Sequence, residues 1–80
     1  MKDTSLNTIT ATVPPTSRLV LLACAGSVTP LSIGDLAEIT GATPGTLEKT
    51  VRKLRKRGYL AQTSTGFQHV YALAPHITNR

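Results

Sequence analysis

Between Lys49 and Arg57 the chain carries six of its nine Lys and Arg residues, and Leu47, Val51 and Leu54 recur beside them at helical spacing. That pattern predicts an amphipathic helix with one apolar stripe and a broad cationic face. Both ends are marked. Thr43 is a good N-cap, and Pro44 suits the first helical position, where a missing N–H costs nothing. Gly58 stops the helix. Such a helix buries one side only, so the rest of this 80-residue chain must cover that side and leave the charges in water. A bland reading exists for Arg55, Lys56 and Arg57: cations in the last turn suit the negative end of the helix dipole.

The segment before this helix is equally punctuated. Ser32 can cap a short helix, and Asp35 three residues later can answer it in the manner of a capping box. Ile33, Leu36, Ala37 and Ile39 supply its apolar face, and Gly41 ends it in a tight turn. A short helix, a tight turn and a basic helix make a helix-turn-helix, whose second helix can enter a DNA major groove. Upstream, Ser17 to Ala25 forms a first helix, capped by Thr16 or Ser17 and ended by Gly26, with Leu19, Leu22 and Ala23 toward the core. Its wide apolar arc points to burial on more than one side, hence to a homodimer. Leu31 lies in a short strand. After Gly58 the period changes to two. Tyr59–Thr63 and Phe67–Leu73 read as strands joined by a turn at Ser64-Thr65-Gly66. The expected fold is therefore α+β: three helices followed by a two-stranded hairpin. It spans residues 16–75, after a flexible arm at 1–15 and before a frayed tail at 76–80. The arm also carries strand-like alternation at Ile9, Ala11 and Val13.

Helix, helix, turn, helix and hairpin is the order of a winged helix-turn-helix. Leu36-Ala37, Gly41, Thr46-Leu47, Val51, Leu54 and Gly58-Tyr59-Leu60 fit without gaps the pattern of the MarR-type winged-helix repressors, which Leu19 to Leu73 resembles. In that family a Leu-Ala pair opens the helix before the turn, and a Gly marks the turn. A Ser/Thr-aliphatic pair sits early in the recognition helix. The chain departs from the family in two places. Eighty residues leave no room for the long terminal helices of the family dimer. The hairpin, the wing of such a fold, lacks the family's Asp and adjacent arginines.

The resemblance and the charge pattern point to double-stranded DNA as partner, with the helix at 43–57 in the major groove. Opposite the apolar stripe stand Gly45, Lys49, Arg52 and Lys56, flanked by Glu48 and Lys53. Lys49 and then Arg52 lead as base readers, because the first turns of a recognition helix meet the base edges. Thr43, Thr46 and the early N–H groups suit a phosphate, and Gly45 allows close approach. Glu48 either accepts from a cytosine amine or pairs with Arg52 one turn later. Thr65, Gln68 and His69 offer neutral hydrogen bonds from the wing.

The formal charge of +5 also suits a polyanion. A transcriptional repressor is the leading expectation. A winged-helix module for protein interaction, or for replication or recombination without strong sequence preference, is the alternative. No phosphate loop, catalytic pair or metal cluster stands in the sequence, so no enzyme, cofactor, metal or small-molecule site is expected. The single Cys24 sits in an apolar run too short to span a bilayer and reads as a core residue, which suits a reducing cytoplasm.

Overall fold

The helix opened by Thr43 and the short helix before it set the frame. In a computed structural model describing residues 5–66 and 68–77, seven elements follow one another: α1 (Leu6–Thr12), α2 (Pro15–Gly26), β1 (Leu31–Ser32), α3 (Ile33–Thr40), α4 (Pro44–Lys56), β2 (Leu60–Thr65) and β3 (Gln68–Leu73). The capping box forms as expected. Asp35 N–H donates to Ser32 Oγ at 3.1 Å, and Ser32 N–H donates to an Asp35 carboxylate oxygen at 3.1 Å. Gly41 takes φ 75°, and its N–H donates to the Ala37 carbonyl at 2.9 Å, which ends α3 and turns the chain toward α4. Thr43 caps α4 with Pro44 in its first turn. Leu47, Val51 and Leu54 are buried, together with Leu36 of α3 and Val20 and Leu21 of α2. The helices α2 and α3 pack on α4 and on each other. At the far end of α4, Gly58 adopts φ 80°, and Tyr59 N–H reaches back to the Leu54 carbonyl at 2.9 Å.

The sheet is three-stranded, in the order β1-β3-β2, and wholly antiparallel. Leu31 pairs with Tyr71 and Ser32 with Val70, so the short strand at Leu31 ties the entrance of α3 to the hairpin. The hairpin ladder runs on to Thr65 opposite Gln68. Ser64 and Thr65, expected in the turn, therefore belong to β2. Gly66 follows this ladder at φ 60°, and residue 67, expected to open the second strand, lies outside the described residues. Tight hairpin turns favour positive φ because that twist matches the strands, and Gly66 supplies it without strain.

Four further expectations are corrected. The arm is neither free nor a strand over its described part: Leu6–Thr12 is a helix capped by Ser5. Leu6, Ile9, Thr10 and Val13 follow an i, i+3, i+4, i+7 spacing and are buried, and this period overrides the alternation of Ile9, Ala11 and Val13. Seven residues are too few for a stable helix alone, so α1 exists by packing on α2. The chain thus has four helices, and Arg18 Nε clamps α1 by donating to the Thr10 carbonyl at 3.0 Å. The second correction concerns the start of α2. Neither Thr16 nor Ser17 caps it; Pro15 opens the helix and Pro14 precedes it without a side-chain cap. The third is its rotation. Val20, Leu21 and Cys24 face the core, whereas Leu19 and Leu22 are 48% and 47% exposed. Ile39 of α3 likewise points outward. The fourth is the tail: Ala74 and Ile77 are buried, and Ile77 N–H donates to the Ala74 carbonyl at 3.0 Å. Residues 78–80 of the expected frayed tail, and 1–4 of the arm, lie outside the described residues.

Because α1 is held chiefly by its apolar face, Ile9→Ala is expected to cost about 2–4 kcal/mol of unfolding free energy, as large-to-small core changes do. A urea denaturation series measures it, and a loss below about 0.5 kcal/mol would show that α1 does not pack in solution. Cys24 generates a second expectation. Burial raises its thiol from the ordinary 9.0 to about 11. The unfolded chain ionises this thiol near 9, whereas the folded chain keeps it protonated to about 11. Its effect on stability is therefore absent below pH 9 and grows more unfavourable as pH rises through this window. Relative to Cys24→Ala, the wild-type chain should lose roughly 2 kcal/mol between these limits, read as a pH-dependent difference in urea midpoints.

Candidate nucleic-acid interface

A helix turns about 100° per residue, which sets Gly45, Lys49, Arg52 and Lys56 within one narrow arc. That arc lies opposite Leu47, Val51 and Leu54, whose burial fixes the rotation of α4. All four outward residues are exposed, as are Thr43, Thr46, Glu48 and Lys53. Gly45 has open space around it: a Cβ there would meet nothing within 4 Å. Its conformation does not require glycine, so the residue leaves room outside the fold.

The flanks of α4 differ. On one side Thr46, Lys53 and Arg57 border a cleft against the corner between α1 and α2, where Val13, Pro14 and Thr16 form the other wall. On the other side Glu48, Arg52 and Arg55 face the hairpin across a cleft of about 360 Å³, floored by Val51 and Tyr71 and walled by Gln62 and His69. Lys56 joins Arg52, Arg55 and Gln62 in the adjoining cleft over Leu60. Glu48 and Arg52 form no ion pair with each other among the described residues. Glu48 instead borders the space between α4, the start of α3 and β3, shared with Gln68 and His69.

The N-terminus of α4 is largely satisfied internally. Thr46 N–H donates to Thr43 Oγ at 3.4 Å, Leu47 N–H to the Thr43 carbonyl at 3.0 Å, and Pro44 has no N–H. Gly45 therefore carries the first-turn N–H left for an outside acceptor. The Thr43 and Thr46 hydroxyls also bond each other at 3.0 Å.

On the hairpin, alternation puts Leu60, Gln62 and Ser64 of β2 on one face with His69 and Tyr71 of β3. Leu60 and Tyr71 bury the inner part of that face against the core, and its outer part becomes polar. The Gln62 amide nitrogen lies 2.9 Å from His69 Nδ1, and Ser64 Oγ lies 3.0 Å from it. An amide nitrogen only donates, so Nδ1 accepts and the ring proton sits on Nε2. His69 is thus held as a donor rather than left as a loose wing residue. Arg55 and Gln62 were missed as site residues by sequence reasoning. Arg55 lies one turn after Arg52 on the flank that meets the next element, and Gln62 shares the face of Leu60, so strand alternation and helical spacing together contain both. Thr65 is in β2, and Gln68 is exposed at the start of β3. Among the described residues there is no group of three or more His, Cys, Asp or Glu side chains able to hold a metal ion, and no helix is long and apolar enough to cross a membrane.

Comparison with known proteins places this geometry. The sequence profile of the MarR family matches residues 11–68. No curated protein matches the chain by sequence. Among solved structures, Rv0081 of M. tuberculosis superposes with a TM-score of 0.71 at 22% identity, covering 84% of this chain and 65% of its own. ST1889 of the thermoacidophilic archaeon Sulfolobus tokodaii gives 0.74 at 24% identity, covering 90% and 72%. BpsR of Bordetella bronchiseptica, whose DNA binding is regulated by 6-hydroxynicotinic acid, gives 0.69 at 17% identity, covering 88% and 54%. At these identities the structures share the fold, and the chain spans 65% of the first and 54% of the last. With the family profile running from α1 to the start of β3, and a helix-turn-helix followed by a sheet wing, the chain belongs to the MarR family.

Proposed function

We propose that the chain binds double-stranded DNA sequence-specifically and acts as a repressor, with α4 in the major groove. The observation that supports this most is the rotation of α4: the buried Leu47, Val51 and Leu54 turn Gly45, Lys49, Arg52 and Lys56 together into solvent. Lys49 and Arg52 lie in the early turns, where base edges are met; Lys53 and Lys56 lie further along, where phosphates are met. BpsR, a relative in fold, binds DNA. The functional unit is a homodimer. The apolar residues of α1 face their own core, so the surface left for a second copy is the outer side of α2, with Leu19 and Leu22. A two-fold pair would read half-sites about 10 base pairs apart.

Selection of bound duplexes from a random pool should enrich a two-fold symmetric site. On it, Lys49→Ala should lose about 1–3 kcal/mol and relax preference at one base pair, whereas Lys56→Ala should weaken all duplexes alike. The slope of log K against log salt should be about −4 or steeper, since each phosphate contact contributes about −0.9. A slope near zero would favour the alternative, a winged helix that binds protein.

Gly45→Ala separates fold from interface. The open space around Gly45 and the helical preference of Ala predict a gain of about 0.5 kcal/mol in stability. The added methyl stands between α4 and the groove, so DNA affinity should fall while the thermal midpoint rises. Equal or better binding would show that the start of α4 does not approach the duplex.

A further inference from the structure

The wing carries no Lys or Arg anywhere from Tyr59 to Leu73. A hairpin without cations has little charge to hold a polyanion, yet the cleft beside it is lined by the side chains of Arg52 and Arg55. We propose that this cleft, between α4 and the hairpin, seats a phosphodiester of the DNA strand that passes from the recognition helix to the wing. Arg55 is its principal cation, and His69, positioned by Gln62, supplies an N–H. The proposal rests on the DNA-binding reading above and adds a site to it.

The geometry carries the assignment. If α4 lies in a major groove and the hairpin over the neighbouring minor groove, the strand dividing the two grooves must cross the space between these elements. That space is built for an anion on its outer walls. Arg52 and Arg55 offer guanidinium N–H groups from one side, and a guanidinium fork matches a phosphate with two parallel bonds. Gln62 and His69 face them from the other side. With Nδ1 occupied by Gln62 and Ser64, the imidazole turns a donor, not an acceptor, toward an incoming oxygen. The floor is made by Val51 and Tyr71, both largely buried. Glu48 stands in the same cleft as its single acidic wall and biases a phosphate toward Arg55. Gln62 is a positioning residue, acting through His69.

The test compares the full chain with Arg55→Ala, Gln62→Ala and Lys49→Ala on the selected duplex and on an unrelated one. Arg55→Ala should bind both about tenfold more weakly, with a salt slope shallower by about 0.9, because one charge-assisted contact is lost. Its thermal midpoint should change little, because Arg55 is exposed and acts on the fold only through the end of the helix dipole. Gln62→Ala should weaken binding by a smaller factor without altering the slope, and should shift the ¹⁵N signals of the His69 ring away from the Nε2–H tautomer in the free protein. A merely structural Gln62 would leave that ring signature unmoved and would overturn its role. An Arg55→Ala chain that binds as tightly, with the same slope, overturns the cleft while leaving the DNA-binding reading intact. If Lys49→Ala shows no change in base preference but Arg55→Ala behaves as stated, the cleft stands and sequence specificity through Lys49 falls. A wild-type chain that binds neither duplex overturns both. The same His69 shift produced by inorganic phosphate alone as by duplex would reassign the cleft to a free anion and overturn the phosphodiester.

Discussion

Burial of Leu47, Val51 and Leu54 is the constraint on which the interface depends. Their side chains leave α4 one orientation, because α2, α3 and β2 all pack on this helix. Everything polar on α4 then takes its place by spacing alone. Lys49 points away from the fold, Lys53 and Arg57 flank one side, and Arg52 and Arg55 border the cleft on the other. The charges cost nothing in desolvation, since they stay in water, and they repel each other only through solvent. A positive surface of this kind is stable to the fold and unfavourable to a second cation, and a polyanion relieves it.

Local chemistry made the helix-turn-helix legible. Ser32 with Asp35, Gly41, Thr43 with Pro44, and Gly58 each satisfy a specific backbone requirement, and each does so in the structure. These devices act within four residues, so a sequence displays them directly. The hairpin was legible by alternation, though its turn was placed too early. Nothing local distinguishes Ser64 and Thr65 as strand from turn, and the ladder to Gln68 and His69 decides it.

The rotation of α2 and the state of the arm were less legible, for one reason. In Leu19-Val20-Leu21-Leu22-Ala23-Cys24 nearly every position is apolar, so a helical wheel has no polar face to exclude. The elements packed around α2 settle it: α1, α3, α4 and β3 all contact this helix, and Val20, Leu21 and Cys24 are the side chains they bury. The arm was misread for the same kind of reason. Ile9, Ala11 and Val13 satisfy a strand period, while Leu6, Ile9 and Val13 satisfy a helical one. The choice rests on α2 offering a surface, which is a tertiary fact.

Site residues divide along the same line. Residues on the outward arc of α4 follow from periodicity within one element. Arg55, Gln62 and His69 meet only because β1 joins the hairpin to the start of α3, which fixes how the sheet faces α4. Their meeting is a property of three elements at once. It also changes what a charge-poor wing implies. A hairpin lacking Lys and Arg reads in isolation as a weak DNA contact. Set against the cationic flank of α4, its Gln62 and His69 become the neutral wall of a cleft whose charge comes from the helix. Moving the cations from the wing to the helix keeps the hairpin free of like-charge repulsion with Arg52 and Arg55, which lie across the cleft from it. A wing arginine at the position of His69 would face those two cations directly, so the neutrality of this wing and the arginines of this helix are two parts of one electrostatic arrangement.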